Sequence, residues 1–328
     1  LTPSFAIIGT TRELAAHPLR IDRVLAELAE QLDEPLPVVD EVVATRGNTT
    51  LIQTRAEGAD PQEPEGRWSL HVPLSPQQER QIERHHEVIE RLWSPRAKLP
   101  VPEPLYRGRL AGMSFSCERR LGGLTAPQLS GDASCVERTL EDLVEQLAGL
   151  VVEPSRPLDE EAFERHFGER FGLVARFCGH EPTVRNLARM RAETRERVLG
   201  CSVPLVLYHA DLRSKHIQVD ASGRVLGYLD WGSSVDADLP YSDLLQFLVH
   251  EYKQSRGVSA RGAWELVQDP EGIRPRERGL LDEYGERLGL EPEFLRAMEG
   301  CFPVFVAAMA EANWDYSRPR WVHGQFGV

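Results

Sequence analysis

Four residues within one stretch of the chain have the types and spacing for acid–base and metal chemistry. In VLYHADLRSKHIQVDASGRVLGYLDWG, Val206 to Gly232, an apolar run ends at His209-Ala210-Asp211, passes His216, and closes about twenty residues later on Asp230-Trp231-Gly232. A polar loop at the end of a buried strand is held by a rigid scaffold, where reactive side chains are well positioned. The DASGR segment with Gly223 is a hairpin signal, and a hairpin folds Asp230 back toward Asp211. Of two carboxylates so placed, one can accept a proton from a hydroxyl while the other holds a divalent cation. Phosphoryl transfer calls for that division, because the protein's part there is positioning and charge neutralisation. A plainer alternative makes both aspartates turn residues and strand ends. A third makes His209, Asp211, His216 and Asp230 joint ligands of one tightly bound transition metal in a hydrolase.

The elements that must position these residues are read from periodicity. Residues 18 to 32 place Ile21, Leu25, Leu28 and Leu32 on one helical face. Short strand-like pieces follow, PVVDEVVATR, GNTTLIQTR and RWSLHV, with an acidic Gly/Pro loop from Glu57 to Gly66 between the last two. Ser75, Pro76 and Gln78 form a helix start with a capping box, and the helix runs to Trp93. Two more strands end at FSCERRLGG, and Gly122-Gly123 reads as a linker. Beyond it residues 134–150, 158–178 and 183–199 are helical by their apolar spacing, the region 204–232 returns to strands, and Leu239 to Asn313 is again mostly helical. The predicted organisation is α+β: a helical extension over 1–34, a β-rich lobe over 35–121, and a mainly helical lobe over 122–328.

Composition narrows the function classes. With 328 residues, 27% charged and 41% hydrophobic, the chain has the make-up of a soluble globular protein large enough for two cores. It has no uncharged apolar run of the length a membrane helix needs and no basic-then-apolar leader pattern, so no membrane partner and a cytoplasmic location are expected. The five cysteines are widely spaced without a C-x-x-C pair, which suggests neither a disulfide framework nor a zinc site. A net charge of -13 disfavours nucleic acid and leaves room for cationic small molecules.

HADLRSKHIQVD followed by GYLDWGSSVDADLPYSDL resembles the aminoglycoside phosphotransferase family, which has the protein-kinase-like bilobal fold and carries H-G-D-x-x-x-x-N, then I-D-W/F-x, then G-D-P-x-x-D-L. The likeness runs from about residue 38 to about residue 250. It implies that Asp211 is the catalytic base, Asp230 a metal ligand, His209 a loop-holding residue, and Asp238 and Asp243 the two trailing, loop-fixing aspartates, the last after a one-residue insertion. In the first lobe, Gly47, Asn48 and Thr49 resemble the turn that covers the nucleotide. Glu87 resembles the glutamate that pairs with the nucleotide lysine, and ERRLGG, with Glu118 and Arg120, resembles the hinge against which the base stacks. The implied activity is transfer of the γ-phosphate of ATP or GTP, with Mg2+ or Mn2+, to a hydroxyl of a small, cationic or sugar-like acceptor. The aromatic and acidic run Trp314, Asp315 and Tyr316 would suit that acceptor.

Two positions depart from the family pattern. His71 stands at the phosphate-binding lysine or arginine, sixteen residues before Glu87, and no lysine precedes Lys98. Arg67 and Arg46 are the substitutes in view. His216 stands where an asparagine holds a metal, and histidine suits manganese or zinc better than magnesium. The two histidines leave open a pseudokinase-like module that binds nucleotide or a partner without efficient transfer. The aromatic residues Phe294, Phe302 and Phe305 read as core, while Arg84 to His86 and Glu251 to Lys253 read as solvated helix faces.

Overall fold

The computed structural model describes residues 18–44, 49–58, 67–94, 99–110, 112–178 and 180–313. Gly47, Asn48, Arg46, Trp314, Asp315 and Tyr316 lie outside the described residues. The chain divides into two compact units at Gly123, and the segment Leu226–Gly232 belongs to the first unit.

In the first unit the elements are α1 (Pro18–Leu32), β1 (Val38–Ala44), β2 (Thr49–Arg55), β3 (Trp68–Pro73), α2 (Pro76–Leu92), β4 (Pro104–Leu110) and β5 (Met113–Arg119). The strands make one antiparallel sheet in the order β1-β2-β3-β5-β4. Alternation assigns the two faces. Ile52, Trp68, Leu70, Val72, Phe115 and Cys117 pack under Val24, Leu25 and Leu28 of α1. Residues His71, Ser116 and Glu118 therefore point the other way, toward α2. Ser75 caps α2 by accepting the Gln78 N–H, but the capping box expected from Gln78 is replaced. Its amide bonds Thr49 and Gln81 instead, tying the start of α2 to the start of β2.

The second unit contains β6 (Leu124–Thr125), α3 (Ala133–Leu147), β7 (Val151–Pro157), α4 (Glu160–Phe163), α5 (Glu169–Phe177), α6 (Glu181–Val198), β8 (Ser202–Tyr208) and β9 (Ile217–Val219). After β10 (Val225–Tyr228) come β11 (Val235–Asp238), α7 (Ser242–Arg256), α8 (Ala260–Gln268), α9 (Pro275–Leu288) and α10 (Pro292–Asn313). β8, which leads into the His209 loop, is the central strand of β11-β8-β7. β7 is absent from the sequence reading because Pro154 and Pro157 disguise it; as an edge strand it tolerates both. The run expected as one helix over 158–178 is interrupted by a wider turn at Glu164–Gly168. Phe294, Phe302 and Phe305 are buried core residues.

Two expected solvated faces are corrected. His85 and His86 are 4% and 2% exposed, and Glu251 is 2% exposed. Each helix turns that part of its surface inward because apolar neighbours, Ile82 and Ile89 on α2 and Leu248 and Tyr252 on α7, share the same stripe. Among the described residues, no helix is long and apolar enough to cross a membrane.

Candidate active site

The loop after β8 is built around Asp211. Its carboxylate accepts from the Gln246 side-chain amide, 3.1 Å away on α7, and from the Arg213 guanidinium. The loop itself hangs on Asp243 in the first turn of α7, which accepts the N–H groups of His209 at 2.9 Å and Ala210 at 3.1 Å. Ala210 has φ +67, a left-handed conformation for which the family motif uses glycine, so these bonds offset strain as well as satisfy buried donors. Fully buried His209 accepts the Asp211 N–H at 3.3 Å on Nδ1. His216 Nδ1 lies 2.7 Å from the Asp211 carbonyl oxygen. A carbonyl only accepts, so Nδ1 carries the proton and Nε2 is the ring's ligand atom.

Electrostatics vary around this loop. Burial pushes the Asp243 carboxyl up to about 7, against the two backbone N–H bonds, and the Asp211 and Asp238 charges add to the rise. Asp238, at the end of β11, accepts from His166 Nδ1 at 2.9 Å, from the Leu239 N–H at 2.8 Å and from Arg170. Burial opposes its charge, but Arg170 and His166 prevail and its carboxyl stays below the usual range. Burial, reinforced by Arg213, brings His250 down to about 3, and Ser214 Oγ bonds its Nδ1 at 2.7 Å.

The first unit carries a second cluster, on the sheet face toward α2. Glu118 of β5, 4% exposed, faces two histidines: His85 Nε2 at 2.5 Å and His71 Nε2 at 3.3 Å. His71 is its open edge, with a side chain 23% exposed. Here the pairing expected for Glu87 is corrected. Glu87 lies on the outer face of α2 and meets Arg107 at 3.1 Å, because the helix phase that buries Ile82, His85 and Ile89 turns position 87 to solvent. Glu118, read as part of the hinge, is instead the acid beside His71. Arg120 bonds Asp40 at 2.6 Å. Arg67 sits just before β3, near Arg120 and Asp40, four residues from His71.

Protons in this cluster follow from its donors. The Trp231 N–H donates to His85 Nδ1 at 3.0 Å. Nδ1 is therefore unprotonated, and Nε2 carries the hydrogen given to Glu118. Burial would raise the Glu118 carboxyl, but the His85 and His71 rings prevail and hold it well below the usual range. Burial also opposes charge on His85, and Glu118 outweighs it, so the ring's proton affinity is raised. A second proton would have to displace the Trp231 bond. Ligand atoms of His71, His85 and Glu118 lie within 4.8 Å of one another. A metal-bound histidine, however, normally donates its other N–H outward. His85 accepts there, so the cluster is arranged to hold a proton and a charge rather than a cation.

Asp230 is exposed and takes φ +62 at the end of the segment that joins the first unit. Gln246, Arg213 and His85 are the residues that sequence reasoning missed. Gln246 stands three positions after Asp243 on α7, on the same helical face. His85 stands three positions after buried Ile82, and that spacing was the available signal.

The family model described as the phosphotransferase enzyme family, APH, matches residues 52–275. No curated protein matches the chain. Two solved structures share the fold. A thermostable mutant of aminoglycoside phosphotransferase APH(4)-Ia, in a ternary complex with ADP and hygromycin B, is 14% identical over 93% of this chain and 96% of that chain, with a TM-score of 0.56. The GDP complex of wild-type aminoglycoside 2'-phosphotransferase-IIIa is 14% identical over 92% of this chain and 90% of that chain, with a TM-score of 0.53. The α+β arrangement, an antiparallel sheet in the first part and helices in the second, is that of these kinase-like structures.

Proposed function

We propose, from the premise that the chain belongs to the phosphotransferase enzyme family, that it transfers the γ-phosphoryl group of ATP or GTP to a hydroxyl of a small, cationic, sugar-like acceptor. The observation that carries this reading is the Asp211 carboxylate, fixed from both sides by Gln246 and Arg213 on a loop pinned by Asp243. A carboxylate held in one orientation can accept the proton of an attacking hydroxyl as the oxygen moves onto phosphorus. His71, set against Glu118, stands at the position facing the phosphates where the family uses lysine or arginine.

We infer that the Asp230 carboxylate holds a divalent cation, Mg2+ or Mn2+, and that His216 Nε2 is a ligand suited to Mn2+ rather than Mg2+. The fit rests on donor chemistry: an exposed carboxylate, and an imidazole whose proton is committed to a carbonyl. When bound, the cation supplies charge neutralisation on the phosphate oxygens. The acceptor class draws on the net charge of -13 and on hygromycin B in the ternary complex of a structural neighbour. ADP and GDP in the neighbours keep both donors in view.

Calorimetric titration of ATP and GTP, each with Mg2+ or Mn2+, tests the reading on wild type and Asp230→Ala, followed by transfer assays on hydroxylated amines and sugars. Cation-dependent binding abolished by the substitution, with phosphate appearing on an acceptor, is the expected result. Binding without transfer to any acceptor would favour a nucleotide-sensing module, and no binding with either cation would overturn the proposal.

A further inference from the structure

The most informative side chain that the proposed reaction leaves without a role is His85. It lies on α2, almost wholly buried, and its two ring nitrogens face different partners. Nε2 reaches the Glu118 carboxylate at 2.5 Å, and Nδ1 takes the Trp231 N–H at 3.0 Å. Glu118 in turn holds His71. Trp231 directly follows Asp230, whose φ of +62 persists only where the surroundings over-determine it.

Those surroundings belong to the same helix face. Gln81, one turn before His85, packs its carbonyl so closely on Gly232 that a Cβ there would lie 2.8 Å from it. Trp231 is fully buried, with its indole N–H on the Tyr228 carbonyl at 3.3 Å, and the Tyr228 N–H is held by the Pro100 carbonyl at 3.1 Å. Gln78, one turn earlier again, bonds Thr49. One stripe of α2 therefore grips the start of β2, the Asp230 turn and the acid behind His71.

We infer that His85 is a positioning residue which, through opposite edges of one ring, sets both the carboxylate that holds His71 and the turn that presents Asp230. Neutral imidazole is suited to this because one nitrogen donates while the other accepts. The link means that the phosphate-facing His71 and the metal-facing carboxylate are placed by a single side chain. This consequence rests on the function proposed above; the bonding pattern does not.

Two substitutions separate the edges. His85→Asn keeps an acceptor near the position of Nδ1 and loses the donor to Glu118. His85→Gln keeps a donor near Nε2 and loses the acceptor for Trp231. Nucleotide affinity at saturating Mn2+ is expected to fall about tenfold in His85→Asn, with the Mn2+ requirement within about twofold of wild type. In His85→Gln the Mn2+ requirement is expected to rise about tenfold while affinity at saturating Mn2+ is nearly kept. Parallel changes in both quantities, or in neither, would overturn the proposal, since a merely structural histidine moves them together. Nitrogen-15 spectra of the wild-type ring are to show Nε2 protonated and Nδ1 bare, with the Trp231 amide shift retained in His85→Asn and lost in His85→Gln. A proton on Nδ1 overturns the assignment. Should the wild type bind no nucleotide, the function fails, and the ring and amide spectra still decide the role of His85.

Discussion

Glu118 in the first unit and Asp243 in the second are buried to nearly the same depth, 4% and 6% exposed, yet their proton affinities move in opposite directions. Asp243 accepts two backbone N–H groups and still rises to about 7. Glu118 faces two imidazole rings and falls well below the usual range. Neutral amide donors satisfy lone pairs without supplying net charge, so desolvation and nearby carboxylates prevail at Asp243. At Glu118 the two imidazole rings prevail over burial instead. Asp238 supports the distinction: it is as buried as either, but Arg170 and His166 hold it low. The second unit thus uses Asp243 as a hook for a loop, whereas the first uses Glu118 as a counter-charge.

The largest effect tests what the hook is for. Asp211→Asn keeps the loop's shape and removes the proton acceptor, so kcat is expected to fall by about 10²- to 10⁴-fold with nucleotide affinity retained. A rate within tenfold of wild type would remove Asp211 from the chemistry. Next, Asp243→Ala leaves the His209 and Ala210 N–H groups buried without their acceptor, at a cost of about 2 to 4 kcal/mol in urea unfolding. A loss below about 1 kcal/mol would show that the hook does not hold the loop.

Glu251 extends the comparison to a buried carboxylate with no hydrogen-bond partner among the described residues. Burial raises it to about 7 from an ordinary 4.5. The unfolded chain gives up this proton first, so the folded state binds more protons between those values. Stability contributed by the protonated form is complete below about 4.5 and is lost as pH rises through about 7. Glu251→Gln is therefore expected to match wild type at pH 4 and to exceed it by about 3 kcal/mol at pH 8, as read from melting curves across that range. Equal melting at pH 8 would mean that water or motion relieves the buried charge. The smallest effect separates two glutamates: Glu118→Gln should weaken nucleotide binding about tenfold, while Glu87→Ala, which breaks only a surface ion pair, should leave it within twofold. The reverse order would restore Glu87 as the partner of His71.

Helix and strand assignments in the first unit were legible because each element carries its period openly. The predicted helix over 18–32 coincides with α1, and WSLHV of the run RWSLHV lies in β3. The helix read over 158–178 is helical across Glu160–Phe177 with a wider turn inside it, whereas β7 was masked by its prolines. The loop after β8 was legible as a candidate site because His209, Asp211 and His216 are neighbours in the chain, and local bonds such as Asp211 to Arg213 need no long-range information. His85, Glu118 and His71 come from a helix and two strands, thirty-three and fourteen residues apart. Without the helix phase, Glu87 and His85 are equally good guesses.

Composition, periodicity and the spacing of HADLRSKH and LDWG determined the α+β class and the identity of the loop that carries Asp211, because these depend on residues close in sequence. Only the tertiary structure decided which carboxylate stands beside His71, which histidine reaches Trp231, and in which direction the proton affinity of each buried acid moves. Those outcomes depend on which faces of separate elements meet away from water, where one partner's charge or its lack reverses the effect of burial.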